Sequence, residues 1–462
     1  MELRELNLSA FGNRFSGYTE LRLQRNRNLR VSLLNGDVVA NAKSVDGGVS
    51  ARAFADGVWG FASRPDMDAD AVIGTIDEAQ RNAAELARFA RRPARTLPRA
   101  AGRAESDFST RKPRKSQAEI VAFLRAIDER IARHYPGLKS RSVTLADLDM
   151  EKRLVTSEGA ESYSNTTRSL VIVALSTTNA AGLPVELRHP FGGRGQFEDV
   201  FPDPGALDAD IDALHRHLMN KREAVSPRAG THDVILDSEL AGILAHEAIG
   251  HTTEADLVQE GSVAGDFVGK AVASPLVTMV DFAHTYQGET LPVPVYVDDE
   301  GVASRDTVLI ERGVLRNFMH NKESATVFSV PPTGNARAYQ FFDEPLIRMR
   351  NTAILPGTDK LEDMIGSIDD GYYLMWPSNG QADSTSEFMF GVTLGYEIKG
   401  GRLGRAITDT TISGVAFDML KSVSMVSDEM SWSCAGMCGK KQIIPVGMGG
   451  PSIKCRIHVG GA

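Results

Sequence analysis

The stretch "HEAIGH", residues 246–251, puts two histidines and a glutamate within six positions. Histidines five apart point about 140° away from each other on an ideal helix and cannot share one ion. The spacing therefore predicts a one-residue π-type bulge that returns His251 to the face of His246, with Gly250 easing the unusual backbone. Two neutral imidazoles would supply two of the three protein ligands of a catalytic zinc, leaving a position open for water. Glu247, next to His246, is long enough to reach that water without binding the metal, which makes it a candidate general base for hydrolysis. The third ligand is open on the residues alone. Glu254 and Asp256 lie just downstream, and "SCAGMCGKK" offers Cys434 and Cys438 beside Lys440 and Lys441, whose charges favour a thiolate. His284 and His320 read as ordinary histidines.

The elements that must position these residues can be read outward from the motif. Val234–Leu236 reads as a short strand, and Ser238 opens the motif helix. The segment "SPRAGTHD" before them marks the main boundary, dividing the chain into an N-terminal and central α+β region, 1–225, and a C-terminal region, 226–462. Upstream, residues 18–63 alternate apolar and polar positions around Asn35-Gly36, Asp46-Gly47 and Asp56-Gly57, which predicts an antiparallel meander with three tight turns. Asp68 caps a helical run from Val72 to Phe89 that includes Leu86. Ser116 and Glu119 form a capping box ahead of a second helix. A Pro/Arg-rich connector, 92–114, separates the two. Another amphipathic segment spans about 207–219. Past the motif, "VPVYVDDEGVASRDTVLIERGVL" and "GVTLGYEIKGGRLGRAI" predict mostly antiparallel strands. The fold class expected is α+β.

Composition narrows the function classes. Of 462 residues, 42% are hydrophobic and 24% charged, ordinary for a globular protein, and the net charge of −9 gives no broad basic footprint for nucleic acid. The basic run "RKPRK", 111–115, reads as solvated surface. No apolar run reaches membrane-spanning length, and the first residues lack the apolar core of a secretory signal, so a cytoplasmic location and no membrane partner are expected. All three cysteines fall after residue 433, unlike a disulfide-stapled scaffold.

Several segments in order, "SVDGGVSARAFADGVWGFAS", "HEAIGHTTEAD", "TGNARAYQFFDEPLIRMRNTAILPG", "NGQADSTSEFMFGVTLGYEIKGG" and "CGKKQIIPVGMGGPSIK", make the chain similar to the TldD/PmbA family, in its H-E-x-x-x-H branch. The resemblance implies a zinc peptidase whose metal is held by His246, His251 and Cys438, with Glu247 as the catalytic carboxylate. It also implies extended or unfolded peptides as substrates and a dimer, with itself or with a TldE/PmbA-like subunit. Cys434 stands outside the family pattern. The competing readings are a regulatory or binding protein with a structural zinc, and an enzyme maturing a ribosomal precursor peptide.

Overall fold

The computed structural model describes residues 3–90, 95–382 and 384–460. Its first layer is a seven-stranded sheet built from β1 (Tyr18–Leu34), β2 (Asp37–Ala55), β3 (Val58–Arg64), β4 (Arg103–Asp107), β5 (Ser140–Thr156), β6 (Glu161–Thr178) and β7 (Pro184–Arg194). The strand order is β3-β2-β1-β5-β6-β4, with β7 also on β6, and all pairs are antiparallel except β4 with β6. Asn35-Gly36 and Asp56-Gly57 form the expected turns, all four residues having positive φ. Asp46-Gly47 does not turn: β2 runs straight through it, Gly47 pairing with Arg25. Here glycine serves close packing. A Cβ on Gly47 would lie 2.6 Å from Met67, and one on Gly48 would lie 2.2 Å from the Arg64 carbonyl.

Among the described residues three helices cover this sheet, one of them Asp208–Lys221, the amphipathic segment expected at about 207–219, which packs on β6 and β7. Helix α1 (Ala69–Ala87) is capped by Asp68, whose side chain accepts from the Ala71 N–H, and it buries Val72, Ile76, Ala79 and Ala83. Leu86 and Phe89, expected on that buried face, are instead exposed where the helix ends. Helix α2 (Gln117–His134) carries the Ser116/Glu119 capping box and buries Ile120, Leu124, Ile127 and Ile131 against β1 and β5. Residues 92–94 of the expected connector lie outside the described residues, and its later part forms β4. Lys112 and Arg114 of the basic run pair with Asp199, Asp149 and Glu198.

The second sheet begins at β8 (Gly230–Leu236). That strand pairs with Asp370–Ala382, which pairs with Glu387–Lys399, then Thr410–Val415, then the last strand, Gly447–Val459, which returns to β8. The five strands thus close a ring. Asn351–Ile354 and Met425–Ser433 also pair with the last strand, so Gly447–Val459 organises the sheet. Most of its pairings are antiparallel, as expected. One stretch departs from expectation: residues 293–300 form no ladder beyond a single bridge at Val297. The Asp298 carboxylate accepts instead from the N–H groups of Glu300, Val302 and Ala336, satisfying the backbone locally. The two sheets are joined by a buried ion network in which Arg52 of β2 lies between Glu20 of β1 and Glu300.

Candidate metal centre

The motif helix starts at Ser238, but its cap is the preceding residue, Asp237, which accepts from the Leu240 N–H. One turn later the helix widens: Ala245–Gly250 is a π-helix, and the His251 N–H donates to the carbonyl of His246, five residues back. The bulge predicted from the histidine spacing is present. It brings the two imidazole centroids to 5.2 Å at an interplanar angle of 80°. The glycine has a different role from the one expected. Gly250 keeps ordinary right-handed helical angles, φ −54° and ψ −53°, and is required for space, because a Cβ there would lie 2.0 Å from the sulfur of buried Met349.

The third donor arrives from the far end of the chain. Cys438 lies in a two-residue strand, Met437–Cys438, hydrogen-bonded to Ile444–Pro445, and its sulfur sits 3.4 Å from His251 Nε2. One ligand atom each from His246, His251 and Cys438 fall within 4.8 Å of one another. The donors fit a zinc ion: an N/N/S set suits that metal, and His246 is 1% exposed with both ring nitrogens lacking a hydrogen-bond partner. Buried polar atoms without partners are rare unless something absent from the protein chain satisfies them. Glu247 reaches the same place, its carboxylate 3.6 Å from His251 Nε2 and its side chain 20% exposed.

Glu254 and Asp256, open as third ligands in the sequence, face the other way. Glu254 accepts from His251 Nδ1 at 2.9 Å and meets Lys440 at 3.1 Å, while Asp256 meets Lys440 at 2.9 Å. A carboxylate on the distal nitrogen fixes the ring and leaves Nε2 to point at the metal. Burial would raise the Glu254 carboxyl, but Lys440 and His251 outweigh it and bring it down to about 2. Burial would also raise the Cys438 thiol, yet the two imidazoles lower it to about 4. The thiolate is thus favoured by the histidines, while Lys440 serves the two carboxylates. Cys434 and Cys455 stay outside the cluster as buried free thiols.

Three consecutive residues, "RMR", support the centre, and no local sequence signal marks them. Arg348, fully buried, donates to the carbonyls of Cys438 (2.8 Å), Lys440 and Gln442 and so shapes the cysteine turn. Met349 fills the space left by Gly250. Arg350 pairs with buried Asp281 at 2.9 Å, fixing the strand beneath. His320 and His284 take no part: His320 Nδ1 lies 3.1 Å from the Ser324 hydroxyl, and His284 stacks on Tyr296.

Comparison with known proteins identifies the family. Residues 229–461 match the PmbA/TldA metallopeptidase C-terminal domain, and residues 19–87 match PmbA/TldA metallopeptidase domain 1. The zinc metalloprotease TldD homolog of Saccharolobus solfataricus is 32% identical over 354 residues, covering 75% of this chain and 77% of that protein. A metalloprotease of Methanothermobacter thermautotrophicus is 30% identical over 451 residues, covering 95% and 94%. The crystal structure of TldE from Thermococcus kodakarensis shares the fold, with a TM-score of 0.75 over 98% of both chains at 17% identity. Among the described residues, no helix is long and apolar enough to cross a membrane. The chain belongs to the TldD/PmbA family of metallopeptidases.

Proposed function

We propose that the protein is a zinc-dependent peptidase that hydrolyses extended or unfolded peptides, with His246, His251 and Cys438 holding the metal and Glu247 acting as general base. The observation that carries this reading is the buried His246 with two unpartnered nitrogens, facing a second imidazole and a thiol, with a carboxylate on the open side. Zinc, when bound, acts as a Lewis acid that acidifies water and polarises the scissile carbonyl. Glu247 takes the proton of the attacking water and hands it to the departing amine as the C–N bond breaks and a C–O bond forms. Glu254 and Lys440 hold His251 in position, and Arg348 holds the Cys438 turn. A structural zinc would not explain a partly exposed carboxylate beside the donors. We place the domain division between residues 225 and 226, with the catalytic machinery in the second part.

Extended substrates fit the edge of the second sheet. Met425–Ser433 pairs along one side with Gly447–Val459, its other side carries a single bridge at Ser427 among the described residues, and it leads into the Cys438 turn. Such an edge offers free backbone groups to an extended chain, and folded proteins have none to present. Denatured casein-like chains should therefore be cleaved at least tenfold faster than a stably folded protein of equal size, as gel-based time courses would read; equal rates would count against strand addition.

In this reading the working unit is a pair, with a second copy or a TldE/PmbA-like subunit, acting in the cytoplasm; the TldE neighbour and the family support the pairing. Sedimentation at assay concentration is expected to show a dimer for the active species. A fully active monomer would rule the pairing out.

A further inference from the structure

From Ser238 to Gly250 every side chain is buried except those of Ser238, Glu239, Ile243 and Glu247. Ser238 is engaged by Ser431, with their hydroxyls 2.7 Å apart. The other three are four residues apart and form one stripe along the helix. It runs from the carboxylate at the metal centre, across an aliphatic side chain, to a second carboxylate about 12 Å away at a rise of 1.5 Å per residue.

The far end of the stripe is walled by groups from both sheets. His189 of β7 puts Nε2 3.3 Å from Glu239 Oε1 and stacks on Trp376 with ring centroids 4.5 Å apart. Trp376 has φ +55°, a conformation that costs energy for a bulky residue, and its N–H is directed at Asp237, the helix cap, at 3.4 Å. Strained backbone of this kind concentrates at functional sites. His189 does not neutralise the acid beside it. Burial, with His217 nearby, lowers its imidazole to about 4, while burial and Asp237 raise the Glu239 carboxyl to about 8, so near pH 7 both groups are mostly neutral until a cation is seated beside the acid. Among the described residues Glu239 has no lysine or arginine partner. Asp237 adds to the rise and His217 lies near His189, so among the described residues no cation of the protein is paired with Glu239.

We propose that Glu239, His189 and Trp376 form a subsite for a cationic group of the substrate, either the peptide's α-ammonium or a lysine or arginine side chain, three to four residues from the cleaved bond. This rests on the peptidase reading above. The distance follows from the stripe, since an extended chain covers about 3.3 Å per residue and spans 12 Å in that number of steps. The chemistry follows from the wall. A cation seated against the buried acid favours its ionised form, an indole face stabilises the cation, and a neutral imidazole adds no repulsion. Glu239 is a specificity-determining residue in this account, and Ile243 is the apolar floor between the two carboxylates.

A panel of peptides of one unfolded sequence tests it, with Lys or Met three or four residues to either side of the cleaved bond, each with a free or an acetylated amino end. KM and kcat are measured for wild type, Glu239→Gln and Glu239→Asp, together with binding by fluorescence anisotropy. Wild type is expected to favour cationic peptides by roughly 5–20-fold in KM with kcat little changed, and the ratio should collapse toward one in Glu239→Gln and persist in part in Glu239→Asp. A preference that survives acetylation assigns the site to the side chain; one abolished by acetylation assigns it to the α-ammonium. Glu239 is 30% exposed, so its substitution should leave the melting temperature and zinc content unchanged, and both are recorded as controls. Equal KM and equal binding across the wild-type panel would overturn the proposal, as would an intact preference in Glu239→Gln. If wild type cleaves the neutral peptides without any charge preference, only this inference falls; if it neither binds nor cleaves any peptide, the peptidase reading falls with it.

Discussion

Glu247→Gln is expected to lower kcat for an unfolded peptide by about 10²–10⁴-fold while leaving KM within a few-fold of wild type, because the amide keeps the size of the side chain and loses only its capacity to take a proton. The zinc content should not change, since Glu247 is not one of the three donors that lie within 4.8 Å of one another. The variant would hold peptides without releasing products, and mass spectrometry of the recovered protein would find them intact. A rate near that of wild type would remove Glu247 from the mechanism. Loss of zinc along with activity would instead make it a ligand.

The second large effect concerns the donors themselves. His246→Ala, His251→Ala and Cys438→Ala should each lose nearly all bound zinc, since a three-donor site deprived of one member has neither the geometry nor the charge to compete with buffer and water. Cys434→Ala and Cys455→Ala should keep one zinc per chain. Both of those thiols are pushed up by burial, Cys455 to about 12, which disfavours the thiolate a metal needs. Elemental analysis of the five variants separates the assignments. Zinc retained in Cys438→Ala but lost in Cys434→Ala would reverse the choice of thiol.

The parts of this centre differ in how far the sequence could reveal them, for physical reasons. The π-helix was legible because two histidines five apart can share an ion only if the helix absorbs a residue, and Ala245–Gly250 does so. The capping of α1 and α2 was legible because caps are local, and two of the three hairpin turns for the same reason. Asp46-Gly47 misled because Gly47 and the following Gly48 answer to Met67 and Arg64, a packing requirement with no local signature. Residues 293–300 misled because β-branched composition does not reveal that Asp298 will bind the backbone itself. Cys438 lies 187 residues from His251; the residues alone offered it beside Cys434, Glu254 and Asp256, and only the family resemblance chose it. Glu254 stood out as an acid near the motif, yet its role depends on Lys440, and Arg348 came from no pattern at all. Contacts made across the fold decide these roles, and spacing along the chain carries no trace of them.

The most direct test of a zinc peptidase centred on His246, His251, Cys438 and Glu247 is a metal titration of the chelator-stripped protein, with its dimer partner supplied, read by mass spectrometry of products from an unfolded peptide. The predicted result is no cleavage without metal and a rise that breaks at one zinc per catalytic chain. Cleavage that persists after the last zinc is removed, or none at full zinc occupancy, would contradict the account.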